Sequence, residues 1–572
     1  MSQLTIPSNY AALLRFRWWV ALFCLGLAGA LPGSTGVRPL ESHEIFVAET
    51  AKTMIQNENF LVPIFNSKLR LEKPPLSYWG AVASELVGDA EFPHISEFEA
   101  RLPSALSAIA LMFVVVGMGF IAFDDRRVGW VAGALFATTW GFHIFSHTAR
   151  PEMLYTLFCG LEMLGFLWLH RSPEHSYANL FAGLLAWGGF AGAILAKGPL
   201  FPLFIVLGVS VSLLLRNPRP SFLQWLRSLR SLRPFMGLTF ALASGIYFLY
   251  LASLAEGAVG FWALQMTQPT EVPLWLRPFR MYFPLAVVGL LLPWSLLLIP
   301  IIREIWRTRH PAALMLGMSS LSCLLFLSFS GKLRLHYVLP AIPFLCVLMA
   351  WAGVAFYNLH VREKVGRIHL VRLLGFHAWI LGAAAGGLTL LAFQNVPHKI
   401  LNPWIFVVPL MVGTVAIGGM SWYYREKKMI QAFGGLIIMS SLISAGMGFG
   451  ILGYEADFYT ERDFARKVGQ IAPPDLPLFT DPEFAPYLLY YGDRTSELLD
   501  PRELQNFQTV HRAPVLLVYD RENLKRAGLQ GRELYQQQMT KQGKQIVLFQ
   551  TEGEDSNRLS AQAGNHNVHP SP

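Results

Sequence analysis

The fold is decided by the run Pro103–Phe123, which reads PSALSAIALMFVVVGMGFIAF and contains no charged residue. A helix of this length crosses the hydrocarbon core of a bilayer, which is about 30 Å thick. Similar runs recur along the chain and lack the alternation of barrel strands. Because only helices and closed barrels span lipid, the sequence predicts an all-α polytopic membrane protein. We expect about 13 spans, at 18–32, 103–123, 128–147, 153–169, 179–196, 199–215, 234–254, 282–302, 311–329, 337–356, 373–392, 403–424 and 430–452.

The composition supports a membrane protein. Of 572 residues, 53% are hydrophobic and 15% charged, and the mean hydropathy is +0.40. Soluble domains carry about 25% charged residues. The net charge of +9 is explained by basic residues beside membrane helices, so it does not indicate a nucleic-acid partner.

Arginine clusters predict the orientation. Arg126-Arg127 and the basic stretches at 216–233 and 303–309 lie in alternate loops, which should be cytoplasmic. The first long loop, 33–102, then lies outside the cytoplasm. We expect a multi-pass protein of the bacterial inner (plasma) membrane with a cytoplasmic N-terminus. The first apolar run also fits a signal peptide, but we favour a retained helix, which keeps the following loop at the membrane.

The chain after the last span has a different character. We expect a membrane domain at 1–452, a small soluble extracytoplasmic α/β domain at 453–552 and a disordered tail at 553–572. Short apolar runs predict strands, and periodic stretches predict helices. The strands are expected at 476–479, 515–519 and 545–549, and the helices at 462–470, 483–491 and 532–540.

The first outer loop carries two charged motifs, Glu41-Ser42-His43-Glu44 and Leu71–Trp79 (LEKPPLSYW). A short amphipathic helix is predicted from His43 to Gln56, with Ser42 as its N-cap. Glu44 projects from the apolar face, where a carboxylate costs free energy unless it is paired or used. It would also complement the helix dipole. Two prolines stiffen the backbone that presents Lys73, although an interfacial lysine that snorkels explains the same pattern.

These motifs resemble the first outer loop of one superfamily of membrane glycosyltransferases. The superfamily contains the protein O-mannosyltransferases and the lipid A aminoarabinose transferases, and the resemblance covers most of residues 15–345. It implies the C-type glycosyltransferase fold and transfer of a sugar from a polyprenyl phosphate carrier outside the cytoplasm. The residues that carry it are His43–Met54, Asn59–Pro63, Glu72–Trp79 and Arg101–Ala105.

One position departs from the family pattern. The family has Asp-Glu where this chain has His43-Glu44, and the family's Asp is the favoured catalytic acid. We therefore expect Glu44 as the general base, with Glu41 and His43 as alternatives. An unperturbed histidine pKa near 6.5 suits proton transfer. The substitution also raises the possibility of an altered or inactive enzyme.

Further charges are expected on the same outer surface. Glu152 matches an acidic residue that the family carries in this turn, so the resemblance makes it a further expected catalytic residue, and Lys197 matches a family lysine. Each charge alone would also fit an interfacial anchor. A polyprenyl phosphate needs cations at the membrane surface to hold and stabilise its phosphate. The expected phosphate-binding residues are Lys73, Arg150, Lys197, Lys332 and Arg334.

The sequence thus predicts a glycosyltransferase that moves a hexosyl or pentosyl group from undecaprenyl phosphate to lipid A or another glycolipid, by a single inverting displacement. A protein acceptor is the alternative within enzymes. A lipid or solute transporter is the alternative of a different class, but charges on one surface and the lack of an internal repeat argue against it. No metal-ligand spacing is present, so neither a metal nor another cofactor is expected.

Overall fold

A computed structural model describes most of the chain. It covers residues 8–34, 38–85, 95–216, 218–267, 273, 276–277, 281–329, 333–362, 375–376, 419, 434–441, 460–507, 513–539 and 543–552. The predicted spans at 373–392 and 403–424 fall almost entirely outside these ranges, the span at 430–452 is described only at 434–441, and the predicted tail lies outside them.

Helices dominate the first 362 residues. They are α1 (Ser8–Ala30), α2 (Ser42–Gln56), α3 (Leu76–Glu85), α4 (Glu97–Phe123), α5 (Arg126–Ala137), α6 (Trp140–Ser146), α7 (Pro151–Arg171), α8 (Tyr177–Ala196), α9 (Leu200–Leu214), α10 (Phe222–Ser228), α11 (Pro234–Leu254), α12 (Ala258–Thr267), α13 (Tyr282–Leu290), α14 (Leu298–Thr308), α15 (Pro311–Phe329) and α16 (Ile342–Arg362). A 3-10 helix at Leu335–Ala341 leads into α16.

Six helical segments of the described chain are long and apolar enough to cross a membrane. Five are α4, α7, α8, α11 and α15, and the sixth is the segment Leu335–Asn358. Two bent helix pairs raise the number to eight if each is one span. The prediction of a polytopic helical protein is therefore confirmed, whereas the number of 13 spans stays a prediction.

The predicted span 128–147 is a broken helix, bent by 57° between α5 and α6. Thr139 adopts an extended conformation at the break, and its hydroxyl accepts a hydrogen bond from the backbone N–H of Phe142. The Trp294 indole donates to the Thr138 hydroxyl at 2.9 Å. These side chains satisfy polar groups that a break exposes inside an apolar bundle.

The described part of the first long loop, 33–102, folds around α2. Glu41, not the predicted Ser42, is the N-cap residue. A two-stranded hairpin follows, β1 (Ile64–Phe65) and β2 (Lys68–Leu69), and then α3. Glu49 of α2 is buried, and Lys52, which pairs with it at 3.3 Å, also lies 3.6 Å from Asp493 in the C-terminal part of the chain.

The C-terminal part contains a five-stranded sheet. Its strands are β3 (Leu478–Thr480), β4 (Glu497–Leu498), β5 (Leu516–Asp520), β6 (Gly531–Gln538) and β7 (Gln545–Thr551), in the order β4-β3-β5-β7-β6. The helices are α17 (Glu461–Ile471), α18 (Ala485–Gly492) and α19 (Arg521–Ala527). The predicted helix at 532–540 was wrong, because β6 pairs antiparallel with β7 along this stretch.

Two apolar cores position the functional region. The larger lies among the membrane helices. The second is shared by the first long loop, through residues such as Ile45 and Met54, and the C-terminal part, through Phe464 and Leu488. The loop is therefore packed between the membrane helices and the C-terminal sheet. The proposed domain boundaries stay predictions.

Candidate active site

Glu44 lies at the centre of a fully buried ionic cluster. The Arg101 guanidinium forms a bidentate pair with it, Nε to Oε1 at 2.9 Å and Nη2 to Oε2 at 3.0 Å. Arg38 Nη2 lies 3.2 Å from Oε1. Backbone N–H groups of Glu41 and Ala149 donate to the same carboxylate at 3.0 and 2.9 Å. Both carboxylate oxygens thus accept several hydrogen bonds at once.

This environment fits a structural anion. Burial alone raises the pKa of the Glu44 carboxyl, but Arg101 and Arg38 outweigh it and hold the pKa far below its usual range. The side chain has no exposed surface, and its oxygens are occupied by protein donors. Because a general base must reach the proton of its substrate, the geometry does not suit the role of base that the sequence suggested for Glu44.

Glu41 and His43 lie closer to solvent. Arg150 Nη2 donates to Glu41 Oε2 at 2.7 Å, so this carboxylate is already paired. His43 is exposed. Partial desolvation, followed by the positive charges of Arg150 and Lys73, lowers the pKa of the His43 imidazole, while Glu41 opposes the shift. A neutral imidazole with exposed surface can accept a proton.

Glu152 lies in the first turn of α7 and is buried. Its Oε1 lies 3.2 Å from Lys197 Nζ and 3.5 Å from His336 Nε2. Its Oε2 has no hydrogen-bond partner among the described residues. Lys197 also lies 5.3 Å from the ring centroid of Tyr337, within the range of cation–π contacts. Glu152 therefore fixes one lysine beside an aromatic ring.

The turn that holds Lys197 is anchored by α7. The Tyr155 hydroxyl donates to the Gly198 carbonyl at 3.3 Å and accepts from the Phe201 N–H at 3.2 Å. Gly198 has φ of +129°, a conformation that favours glycine. Lys197 is the C-cap residue of α8, and α9 begins at Leu200, so the break between two apolar helices presents the lysine.

Lys73 is held by contacts on both sides of its motif. The Trp262 indole donates to the carbonyl of Leu71 at 2.9 Å. Arg70 packs over the Phe46 ring at 4.1 Å and donates to the Tyr78 hydroxyl at 3.0 Å. These contacts, together with the buried prolines that follow Lys73, fix the backbone that carries the lysine.

A cavity of about 580 Å³ joins the two lysines. Lys73 and Lys197 both line it, and the rest of its wall is mainly apolar. The apolar lining comes from the 71–74 loop and from helices α8, α9, α11, α12 and α15, and includes Phe201, Phe204, Phe248, Leu251, Phe326 and Leu327. The cavity thus combines a cationic region with a long hydrophobic surface.

Two of the predicted phosphate-binding residues, Lys332 and Arg334, are not among the described residues that line the cavity. Arg334 is exposed at the start of the 3-10 helix, and Lys332 lies outside the described residues. Arg38, Arg101 and His336 were not among the predicted site residues. Arg38 lies just before the acidic motif in the chain, and Arg101 belongs to the Arg101–Ala105 stretch of the family resemblance. Both positions could have indicated partners for Glu44. Among the described residues, no three His, Cys, Asp or Glu side chains are grouped as metal ligands.

Sequence comparisons show which known proteins this chain is similar to. The sequence model of a family described as dolichyl-phosphate-mannose-protein mannosyltransferase matches residues 47–265. A relative in Edwardsiella ictaluri, named undecaprenyl phosphate-alpha-4-amino-4-deoxy-L-arabinose arabinosyl transferase, is 27% identical over 71% of this chain and 72% of its own length. An Aquifex aeolicus protein is 26% identical over 52% of this chain, which spans 64% of that relative.

Solved structures show the same fold. The crystal structure of ArnT from Cupriavidus metallidurans in the apo state has a TM-score of 0.72 at 18% identity and covers 94% of this chain and 98% of that one. The same protein bound to undecaprenyl phosphate has a TM-score of 0.67 at 19% identity, covering 93% and 98%.

Proposed function

We propose that this chain is a membrane glycosyltransferase of the superfamily that contains the protein O-mannosyltransferases and the lipid A aminoarabinose transferases, to which its sequence and fold are similar. We propose further that it moves a sugar from undecaprenyl phosphate to a cell-envelope acceptor. The acceptor is lipid A or another glycolipid. The reaction takes place on the extracytoplasmic face of the bacterial inner membrane.

One observation carries the proposal, the cavity lined by Lys73 and Lys197. A polyprenyl phosphate has a long apolar chain and an anionic head, and this cavity offers a surface for each. The two ammonium groups bind the phosphate and stabilise it as it leaves. The apolar wall accommodates the part of the prenyl chain nearest the phosphate.

The proposed reaction is a single displacement at the anomeric carbon. The acceptor hydroxyl oxygen forms a bond to that carbon, the bond from the carbon to the phosphate oxygen breaks, and the phosphate keeps the electron pair. Attack from the side opposite the phosphate inverts the anomeric centre. Lys73 and Lys197 face the charge that develops on the phosphate.

We assign the general base to His43 in place of Glu44. The His43 imidazole is exposed and its pKa is lowered, so it is neutral at pH 7 and takes the proton from the acceptor hydroxyl. Glu41 pairs with Arg150, and Glu152 acts as a positioning residue that holds Lys197.

Reconstitution tests the function. The full chain in bacterial-lipid nanodiscs receives undecaprenyl phosphate carrying 4-amino-4-deoxy-L-arabinose, and lipid A is analysed by mass spectrometry. We expect lipid A to gain the mass of one aminoarabinose. His43→Ala should abolish this product, and the matched control His175→Ala, an exposed histidine in the turn before α8, should not.

Two results would contradict the proposal. Transfer to Ser or Thr of a peptide, with none to lipid A, would favour the protein O-mannosyltransferase-like alternative. Movement of a lipid or solute across proteoliposomes without a new glycosidic bond would favour a transporter.

A further inference from the structure

Backbone N–H groups at the start of α2 find partners far away in the chain. The first N–H groups of a helix have no partner within the helix and need one elsewhere. The N–H of Ser42, the first residue of α2, donates to the Tyr487 hydroxyl at 3.2 Å. The N–H of Leu40 donates to the Tyr491 hydroxyl at 2.7 Å. Both tyrosines belong to α18, in the C-terminal part of the chain.

The same helix makes further contacts with the loop. The Tyr491 hydroxyl donates to Glu97 Oε1 at 3.3 Å, and the Tyr490 hydroxyl donates to the Ile95 carbonyl at 2.6 Å. Tyr487 and Tyr490 are buried at this contact. One short helix thus holds the chain on both the α2 side and the α4 side of the first loop.

The bonded segment carries the proposed base. Between the two tyrosine contacts, the N–H of Glu41 donates to Glu44 Oε2 at 3.0 Å. Three successive N–H groups, from Leu40 to Ser42, are therefore fixed immediately before His43. A displacement of about 1 Å at a reacting group reduces an enzymatic rate by up to about a hundredfold, so the position of this segment affects catalysis.

We propose that Tyr487 and Tyr491 are positioning residues through which the C-terminal part of the chain sets the location of His43. This role rests on the proposed function. It gives the C-terminal sheet a task in the transfer step, because the sheet and its helices fix α18 and α18 fixes the start of α2.

Full-length Tyr487→Phe/Tyr491→Phe protein tests the role. We expect kcat for sugar transfer to fall roughly ten- to a hundredfold, while KM for the lipid-linked donor changes less than about twofold, because the two lysines of the cavity are untouched. Tyr519→Phe is the control, since its hydroxyl donates to the Leu499 carbonyl at 2.6 Å within the C-terminal part.

Ser42→Pro tests the same hydrogen bond from its other partner. Proline is favoured at the first helical position, and Glu41 already has the extended conformation that a following proline requires. The substitution removes the N–H that Tyr487 accepts. We expect a fall in kcat, and we expect Ser42→Pro/Tyr487→Phe to be no slower than the slower single variant, because both alter one interaction.

Hydrogen exchange separates this inference from the proposed function. In the full chain, Tyr487→Phe/Tyr491→Phe should speed exchange of the amides at 40–44 at least tenfold, and Tyr519→Phe should leave them unchanged. Unchanged exchange at 40–44, or an equal fall of kcat in Tyr519→Phe, would overturn the positioning role. Absence of sugar transfer by the unmodified protein would overturn the proposed function instead.

Discussion

The Glu44 carboxylate and the Arg101 guanidinium form a bidentate ion pair at 2.9 and 3.0 Å, and neither side chain has exposed surface. Arg101 comes from the start of α4, and its Nη1 and Nη2 also donate to the carbonyls of Arg38 and Pro39 at 2.9 Å. The pair therefore joins a membrane helix to both the beginning of the loop and α2.

Removing one member of this pair should destabilise the protein. Glu44→Gln leaves two buried arginines without their full countercharge, and loss of one partner of a buried pair costs about 3–5 kcal/mol. Unfolding in a denaturant titration measures the change. Arg101→Met should have a similar effect, and the double variant should cost less than the sum of the two. The exposed pair of Glu522 and Arg526 provides a control, because Glu522→Gln should cost less than about 1 kcal/mol.

The pH dependence of transfer should reflect His43. Burial and the positive charges of Arg150 and Lys73 lower the pKa of the His43 imidazole below its ordinary value of 6.5. The imidazole therefore becomes protonated, and stops acting as a base, only when the pH falls through this lowered pKa. The acidic limb of kcat/KM should have its midpoint below 6.5. Arg150→Gln should move this midpoint upwards, and Glu41→Gln should move it downwards. A midpoint that neither variant shifts would contradict His43 as the base.

Lys73 should contribute mainly to binding of the donor phosphate. A hydrogen bond to a charged group is worth about 1.5–3 kcal/mol, which is roughly a ten- to hundredfold change in affinity. Lys73→Met should weaken undecaprenyl phosphate binding by this factor, as measured by quenching of tryptophan fluorescence. Lys68→Met, at an exposed lysine of β2, should bind as the unmodified protein does. Equal affinities for all three proteins would remove Lys73 from the phosphate site.

Gly198 should be needed for the turn that presents Lys197. A Cβ at this position would meet no atom within 4 Å, so its cost comes from the backbone conformation at φ +129°. Such strain costs about 1–3 kcal/mol. Gly198→Ala should reduce both stability and kcat, and Gly289→Ala, at a helical glycine with equally open space, should reduce neither. Wild-type activity of Gly198→Ala would show that the turn tolerates rearrangement.

Local sequence predicted the elements whose formation depends on local chemistry. Apolar runs such as Pro103–Phe123 predicted membrane helices, because transfer of each side chain to lipid depends mainly on that side chain. The strands β3, β5 and β7 were also predicted from short apolar runs. The stretch 532–540 was predicted as a helix from its periodicity, but pairing with β7 makes it a strand.

The candidate site was predicted only in part, because it also depends on contacts between residues that are far apart in the sequence. The sequence identified Lys73, Glu152 and Lys197 as charges at one surface, and the fold brings Glu152 and Lys197 within 3.2 Å. It did not identify the partners of Glu44, because a carboxylate on the apolar face of a helix fits either a base or a buried ion pair. The choice depends on residues 6 and 57 positions away.

The sequence by itself determined that this protein is a bundle of membrane helices with charged residues in the loops between them, since hydrophobicity and charge belong to each residue. Only the tertiary structure decided which of the polar side chains in these loops are buried against protein partners and which remain exposed. Glu44 is neutralised by Arg101, whereas His43, the adjacent residue, remains exposed. Two neighbours in sequence differ in this way because a helix directs successive side chains about 100° apart, one towards the buried arginines and the other towards solvent.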